Sequence, residues 1–210
     1  RRWIKFLTDI LPRFSCELAA SLSDFEKRML QMFYITVFQE AADWRSHTTQ
    51  ANMQLLADSP IMMHELYALL ALNLERIDFI DQPVPLGFDC PLDLHCTYTR
   101  DQILIAMDYM TPKNVREGVK WLPDKQVDVF FITLNKADKD YSPTTMYNDY
   151  SINESLFHWQ SQSRTSDTAS TGQRYINHRQ RGSKVVLFVR EFKQDGIGAA
   201  PYTCLGTAAY

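Results

Sequence analysis

The stretch from 136 to 180 holds the residues best suited to chemistry with a ligand, because it is long and polar yet studded with aromatic side chains. It carries Tyr141-Ser142-Pro143-Thr144-Thr145-Met146-Tyr147, then Leu156-Phe157-His158-Trp159-Gln160-Ser161-Gln162, then Thr171-Gly172-Gln173-Arg174-Tyr175. Flat rings (Tyr147, Phe157, His158, Trp159, Tyr175) alternate there with hydroxyls and amides (Ser142, Thr144, Thr145, Gln160, Ser161, Gln162, Gln173). Bases stack on aromatic faces, and amides and hydroxyls read base edges or bond phosphates, so the chemistry expected is nucleic-acid binding. The competing reading places Phe157 and Trp159 in a core, with the amides tying down loop backbone.

Positive charge collects in the same region. Between 164 and 193 there are seven basic residues (Arg164, Arg174, Arg179, Arg181, Lys184, Arg190, Lys193), with His178 in addition, against two acids, Asp167 and Glu191. In a chain of net charge -3 a whole-surface polyanion binder is excluded, and any nucleic acid must be held by such a local patch. An ordinary solvated face gives the same composition.

Enzymatic readings are thinner. Glu191-Phe192-Lys193 has the Glu-x-Lys spacing of restriction-type nucleases, in which a carboxylate holds a divalent metal and the lysine stabilises developing charge; Asp128 or Asp149 would supply the second acid. His158 near Ser155 or Ser161 lacks a nucleophile-elbow glycine pattern and an orienting acid. Gly182-Ser183-Lys184 lacks the earlier glycine of a Walker loop. Cys90 and His95-Cys96 raise a zinc question, but a second ligand pair is absent. The four cysteines (Cys16, Cys90, Cys96, Cys204) therefore read as buried thiols of a reducing compartment. No catalytic residue, metal or cofactor is assigned to this chain.

The elements that must position these residues follow from periodicity. Ser23 and Glu26 form a capping box ahead of Phe25, Met29, Met32, Phe33 and Val37, which predicts a helix to about Ala42. Ser59 and Pro60 open another through Leu74, and shorter helices are predicted over 3–11 and 48–56. Their methionines and aromatics read as packing. Pro83, Pro85, Gly87 and Pro91 mark a domain boundary. Beyond it, strands are predicted over 94–98, 127–134, 184–192 and 202–210, with a helix capped by Thr99 and Gln102. The expectation is an α+β fold: helices over 1–82, then a mixed or antiparallel β domain over 92–210, curled toward a small barrel.

With 45% apolar and 12% aromatic residues, the 210-residue chain can bury a substantial core. Its apolar runs are too short or too interrupted to cross a bilayer, and the start at Arg1-Arg2-Trp3 shows no charged-then-apolar signal pattern, so a cytoplasmic location is expected. The start at Arg1-Arg2-Trp3 and the strand over 202–210 lead us to expect further sequence on both sides.

Several strings carry a family resemblance: 94–104 (Leu-His-Cys-Thr-Tyr-Thr-Arg-Asp-Gln-Ile-Leu), Arg116-Glu117-Gly118-Val119, Phe131-Ile132-Thr133-Leu134-Asn135-Lys136, 140–147, Phe157-His158-Trp159-Gln160-Ser161-Gln162, and Leu187-Phe188-Val189-Arg190-Glu191. Over about 65–210 the chain resembles the domain of unknown function at the C-terminus of many bacterial DEAD/DEAH-box superfamily II helicases, and residues 1–60 resemble the connector behind a helicase core. The resemblance implies a parent chain with a phospholipase D-like nuclease region and two ATP-dependent helicase lobes, associated with restriction or phage defence. Together with Pro201-Tyr202-Thr203, which looks similar to modified-base readers, it implies a DNA-recognition module. Trp159, Tyr175 or Tyr202 would stack on DNA, and Gln160, Gln162, Arg174, His178, Arg179 and Arg181 would make polar contacts. The expected partners are DNA and the helicase core of the same parent chain, with no membrane; the alternative is a structural or protein-interaction module that touches no DNA.

Overall fold

A computed structural model describes residues 1–78, 80–135, 149–161, 165–196 and 198–210. The chain forms two compact units that interleave along the sequence. Arg1–Pro83, Asp89–Asp93 and Asp101–Lys113 make the first; Val84–Phe88, Leu94–Arg100 and Asn114–Tyr210 make the second.

The first unit is helical: α1 (Arg2–Ile10), α2 (Cys16–Ser21), α3 (Asp24–Phe38), α4 (His47–Ala57), α5 (Pro60–Arg76) and most of α6 (Arg100–Ala106). The capping box is present. Ser23 Oγ accepts from the Glu26 amide at 3.3 Å, and the Glu26 carboxylate accepts from the Ser23 amide at 2.9 Å. α3 stops at Phe38, short of Ala42, because Gln39 turns left-handed at φ 60°. Leu7, Leu30, Tyr34, Met53 and Leu70 form the core, and Trp3 Nε1 donates to the Met29 carbonyl at 2.8 Å. The buried methionines are packing residues, as periodicity predicts. α2 has no apolar period long enough to read and depends on its cap, Ser15 Oγ accepting from the Leu18 amide.

The second unit is built on a five-stranded sheet in the order β1 (Thr97–Tyr98), β7 (Tyr202–Ala208), β6 (Lys184–Arg190), β3 (Val127–Thr133), β2 (Val119–Leu122). All neighbours are antiparallel except β3 and β6, so the fold is mixed α+β. The expected barrel does not close. β1 and β2 lie at opposite ends of the order, and each is too short to span a seam.

A parallel pair cannot be joined by a tight turn, and the connection from β3 to β6 must cross the sheet. That crossover carries the hairpin β4 (Tyr150–Ser151) and β5 (Phe157–His158), then α7 (Ser170–Ile176). It packs on one sheet face: Tyr175 is buried against Phe130, Ile132, Val185 and Val189, with Phe157 and Trp159 half-buried at the margin. Each fully buried side chain of this size is worth about 1.5–3 kcal/mol. Gly172 sits inside α7 because a Cβ there would overlap the Ser166 carbonyl of the preceding loop. Among the described residues no single helix is long and apolar enough to cross a membrane.

Candidate nucleic-acid interface

The hairpin is short, and its turn is made by Asn153, whose Oδ1 accepts from the amides of Ser155 and Leu156 at 2.9 Å each. Alternation then sorts the aromatic string. Phe157 and Trp159 turn toward the sheet, and His158 and Gln160 turn away from it. The Trp159 ring lies 4.4 Å from Phe130 and 5.6 Å, edge-on, from Tyr175. On the outer side the His158 ring lies 4.9 Å from Tyr150, its cross-strand partner, at an interplanar angle of 33°. The Gln160 amide donates to Asp149 Oδ1 at 2.9 Å, fixing the chain as it leaves β5.

Arg174 and Tyr175 project from α7 into a buried polar cluster. Arg174 Nε and Nη2 donate to the two oxygens of Asp128 at 2.8 and 2.9 Å, a bidentate pair in which the carboxylate is fully buried. The guanidinium also lies 4.5 Å from the ring of Trp121, the residue opposite Asp128 across β2 and β3. Burial pushes the Asp128 carboxyl up while Arg174 pulls it down, and the same pairing raises the Arg174 guanidinium. Burial, with Asp128 next, pushes the Tyr175 phenol up to about 12.

The remaining predicted residues separate by exposure. His178 is 5% exposed. Its Nδ1 contacts the Ser183 carbonyl at 3.2 Å and its Nε2 accepts from the Tyr210 amide at 3.3 Å, so both ring nitrogens are used inside the fold. Tyr202 is 2% exposed. Arg100 donates to its hydroxyl at 3.2 Å, and the Arg190 guanidinium lies 4.4 Å from its ring. Tyr175 is 6% exposed. The rings of Tyr175, His178 and Tyr202 are thus packed inside the fold, where no base can stack on them. Arg179 and Arg181 are exposed, whereas Lys184 is held by the Pro85 carbonyl and Arg190 by Thr133 and Ala200. Gln162, Arg164 and the predicted residues Ser142, Thr144, Thr145 and Tyr147 lie outside the described residues.

The hairpin thus brings Tyr150, His158 and Gln160 to one outer side, and the turn after α7 offers Arg179 and Arg181. Sequence reasoning missed Tyr150 and the partnership of Asp128 with Arg174. The second had a signal: a lone carboxylate within the apolar run Val127–Thr133 requires a buried cation or a metal.

For the nuclease reading, Glu191 follows the end of β6, where Arg190 pairs with Thr133, whereas Asp128 pairs with Val185 near the other end. Five residues of strand put about 17 Å between those levels, too far for one metal to bridge. Among the described residues no group of three His, Cys, Asp or Glu side chains is placed to hold a metal ion. A cavity of about 450 Å³ does open near Glu191, between Phe192, Gln194, Leu134, Thr203 and Leu205.

Residues 92–210 match the family model described as Domain of unknown function (DUF3427). No curated protein matches the chain. The matched segment is more than half of the sequence, and the chain belongs to this family.

Proposed function

We propose that this DUF3427 chain is a DNA-recognition module, an accessory part of a superfamily II helicase acting in restriction or phage defence. DNA contact is made by the outer side of the β4–β5 hairpin and by Arg179 and Arg181. The observation that carries the reading is the alternation along β5. It spends Trp159 on holding the hairpin to the sheet and leaves His158, packed against Tyr150, and Gln160 facing solvent. An exposed pair of flat rings beside an amide suits base stacking and edge contacts, and two exposed arginines suit phosphates. The helicase and defence context rests on the sequence resemblance of the Phe157-His158-Trp159-Gln160-Ser161-Gln162 string.

A second reading, a structural or protein-interaction module, is favoured by one observation. Tyr175, His178 and Tyr202 are buried, and Arg174 is committed to Asp128. Anisotropy titrations of the chain with modified and unmodified duplexes, each at two salt concentrations, separate the two. Recognition requires binding that weakens steeply as salt rises, and no binding at low salt supports the second reading.

A further inference from the structure

The edge strand β1 meets β7 with Thr97 opposite Thr203 and Tyr98 opposite Tyr202, and one further step along this register sets Cys96 against Cys204. The hydrogen bonds agree with that placement. The Cys204 amide donates to the Cys96 carbonyl at 2.9 Å, and the His95 amide donates to the Cys204 carbonyl at 2.8 Å. This two-against-one pattern is a G1 bulge, in which His95, at φ 62°, occupies the left-handed position usually held by glycine. The extra residue is therefore His95, and Cys96 remains the direct neighbour of Cys204. Directly opposed antiparallel residues have Cα atoms about 4.5–5.5 Å apart and side chains on the same face. That lies inside the roughly 4.4–6.8 Å range a disulfide spans. Accessibility is graded: Cys96 is half-buried and Cys204 fully buried.

We infer that Cys96 and Cys204 form an oxidisable dithiol that closes into a cross-strand disulfide on exposure to a hydroperoxide. The half-buried Cys96 thiolate attacks the distal peroxide oxygen. This gives a sulfenic acid and releases water, or an alcohol from an organic peroxide. The Cys204 thiolate then attacks the Cys96 sulfur and expels hydroxide, which leaves as water. Two thiols lose two electrons and two protons, and the peroxide takes up both. The bond fastens a two-residue edge strand, otherwise held by few backbone bonds, to the neighbouring seven-residue strand.

The test uses the whole chain in a Cys16→Ser background, since Cys16 is exposed and would join molecules together. Reduced protein is treated with one equivalent of hydrogen peroxide, alkylated, and mapped without reductant. The expected result is an intact mass lower by two hydrogens and a peptide joining Cys96 to Cys204 that thiol reductant separates. In Cys204→Ser, dimedone is expected to label Cys96. The inference is overturned when the Cys16→Ser protein with both Cys96 and Cys204 intact gives dimedone-labelled or over-oxidised Cys96 with no linked peptide, or when the bond formed involves Cys90.

Discussion

Arg174 grips Asp128 with two nitrogens at 2.8 and 2.9 Å, and that pair ties the helix of the crossover to β3, an inner strand of the sheet. A residue whose charge and position suggest a phosphate ligand is therefore an internal strut. Removing the cation alone strands a fully buried carboxylate, at a cost of about 3–5 kcal/mol. Arg174→Met is expected to lose that much stability in urea unfolding. The double replacement Asp128→Leu with Arg174→Met is expected to return most of it, because neither charge is then left in the interior. Equal losses in the single and double variants contradict the pairing.

Tyr175 supplies a pH prediction. Its phenol titrates at about 12 in the folded chain against 10.0 for the ordinary group, so folding favours the neutral form. The corresponding stability is complete below pH 10 and is lost as pH rises from 10 to about 12. A shift of this size corresponds to about 2–3 kcal/mol. Ultraviolet titration near the phenolate band is expected to show Tyr175 ionising late, together with unfolding. Tyr175→Phe should remove that late step and hold its structure to higher pH.

The inward and outward members of the β5 string should separate cleanly under mutation. Trp159→Ala removes a ring packed on Phe130 and Tyr175, and a loss of about 2–4 kcal/mol is expected for a half-buried indole. His158→Ala and Gln160→Ala change exposed side chains and should move stability by less than about 0.5 kcal/mol. Chemical denaturation of the three variants checks this. Similar losses for Trp159 and His158 contradict the alternation.

Gly172 gives a backbone prediction. Adding a methyl group there in Gly172→Ala overlaps the Ser166 carbonyl, backbone that has no flexible end to yield. A helix interior normally gains from this exchange by roughly 1 kcal/mol, so the expected loss reverses the intrinsic sign. A rise in melting temperature contradicts the close approach.

Much of this architecture was legible in the sequence where a local rule and the tertiary fold agree. The Ser23 and Glu26 capping box, the Pro60 start, and the dense β-branched runs at 127–134 and 184–192 correspond to α3, α5, β3 and β6. What stayed hidden was whatever depends on pairing. Val119–Leu122 has a charged residue at its second place, and only its ladder with β3 makes it a strand. The parallel relation of β3 and β6 leaves no mark in either strand, so a barrel and an open mixed sheet read alike. Which of the candidate site residues face inward was hidden for a related reason. Trp159 and Tyr175 look like stacking platforms from composition, but period two along β5 and the turn of α7 aim both at Phe130. The basic run between 164 and 193 misled likewise, since three of its members are spent on Asp128, Pro85 and the Tyr202 environment.

DNA contact is proposed for the hairpin's outer side and the turn after α7. Its most direct measurement is the salt dependence of binding for the wild-type chain beside Arg179→Ala with Arg181→Ala, and Tyr150→Ala with His158→Ala. Losing both arginines is expected to lower the slope of log affinity against log salt by about 2, since each phosphate contact contributes about 0.9. Losing the ring pair should weaken binding at every salt concentration without changing the slope. An unchanged slope and affinity in both double variants, with the fold intact, would contradict the proposed contact.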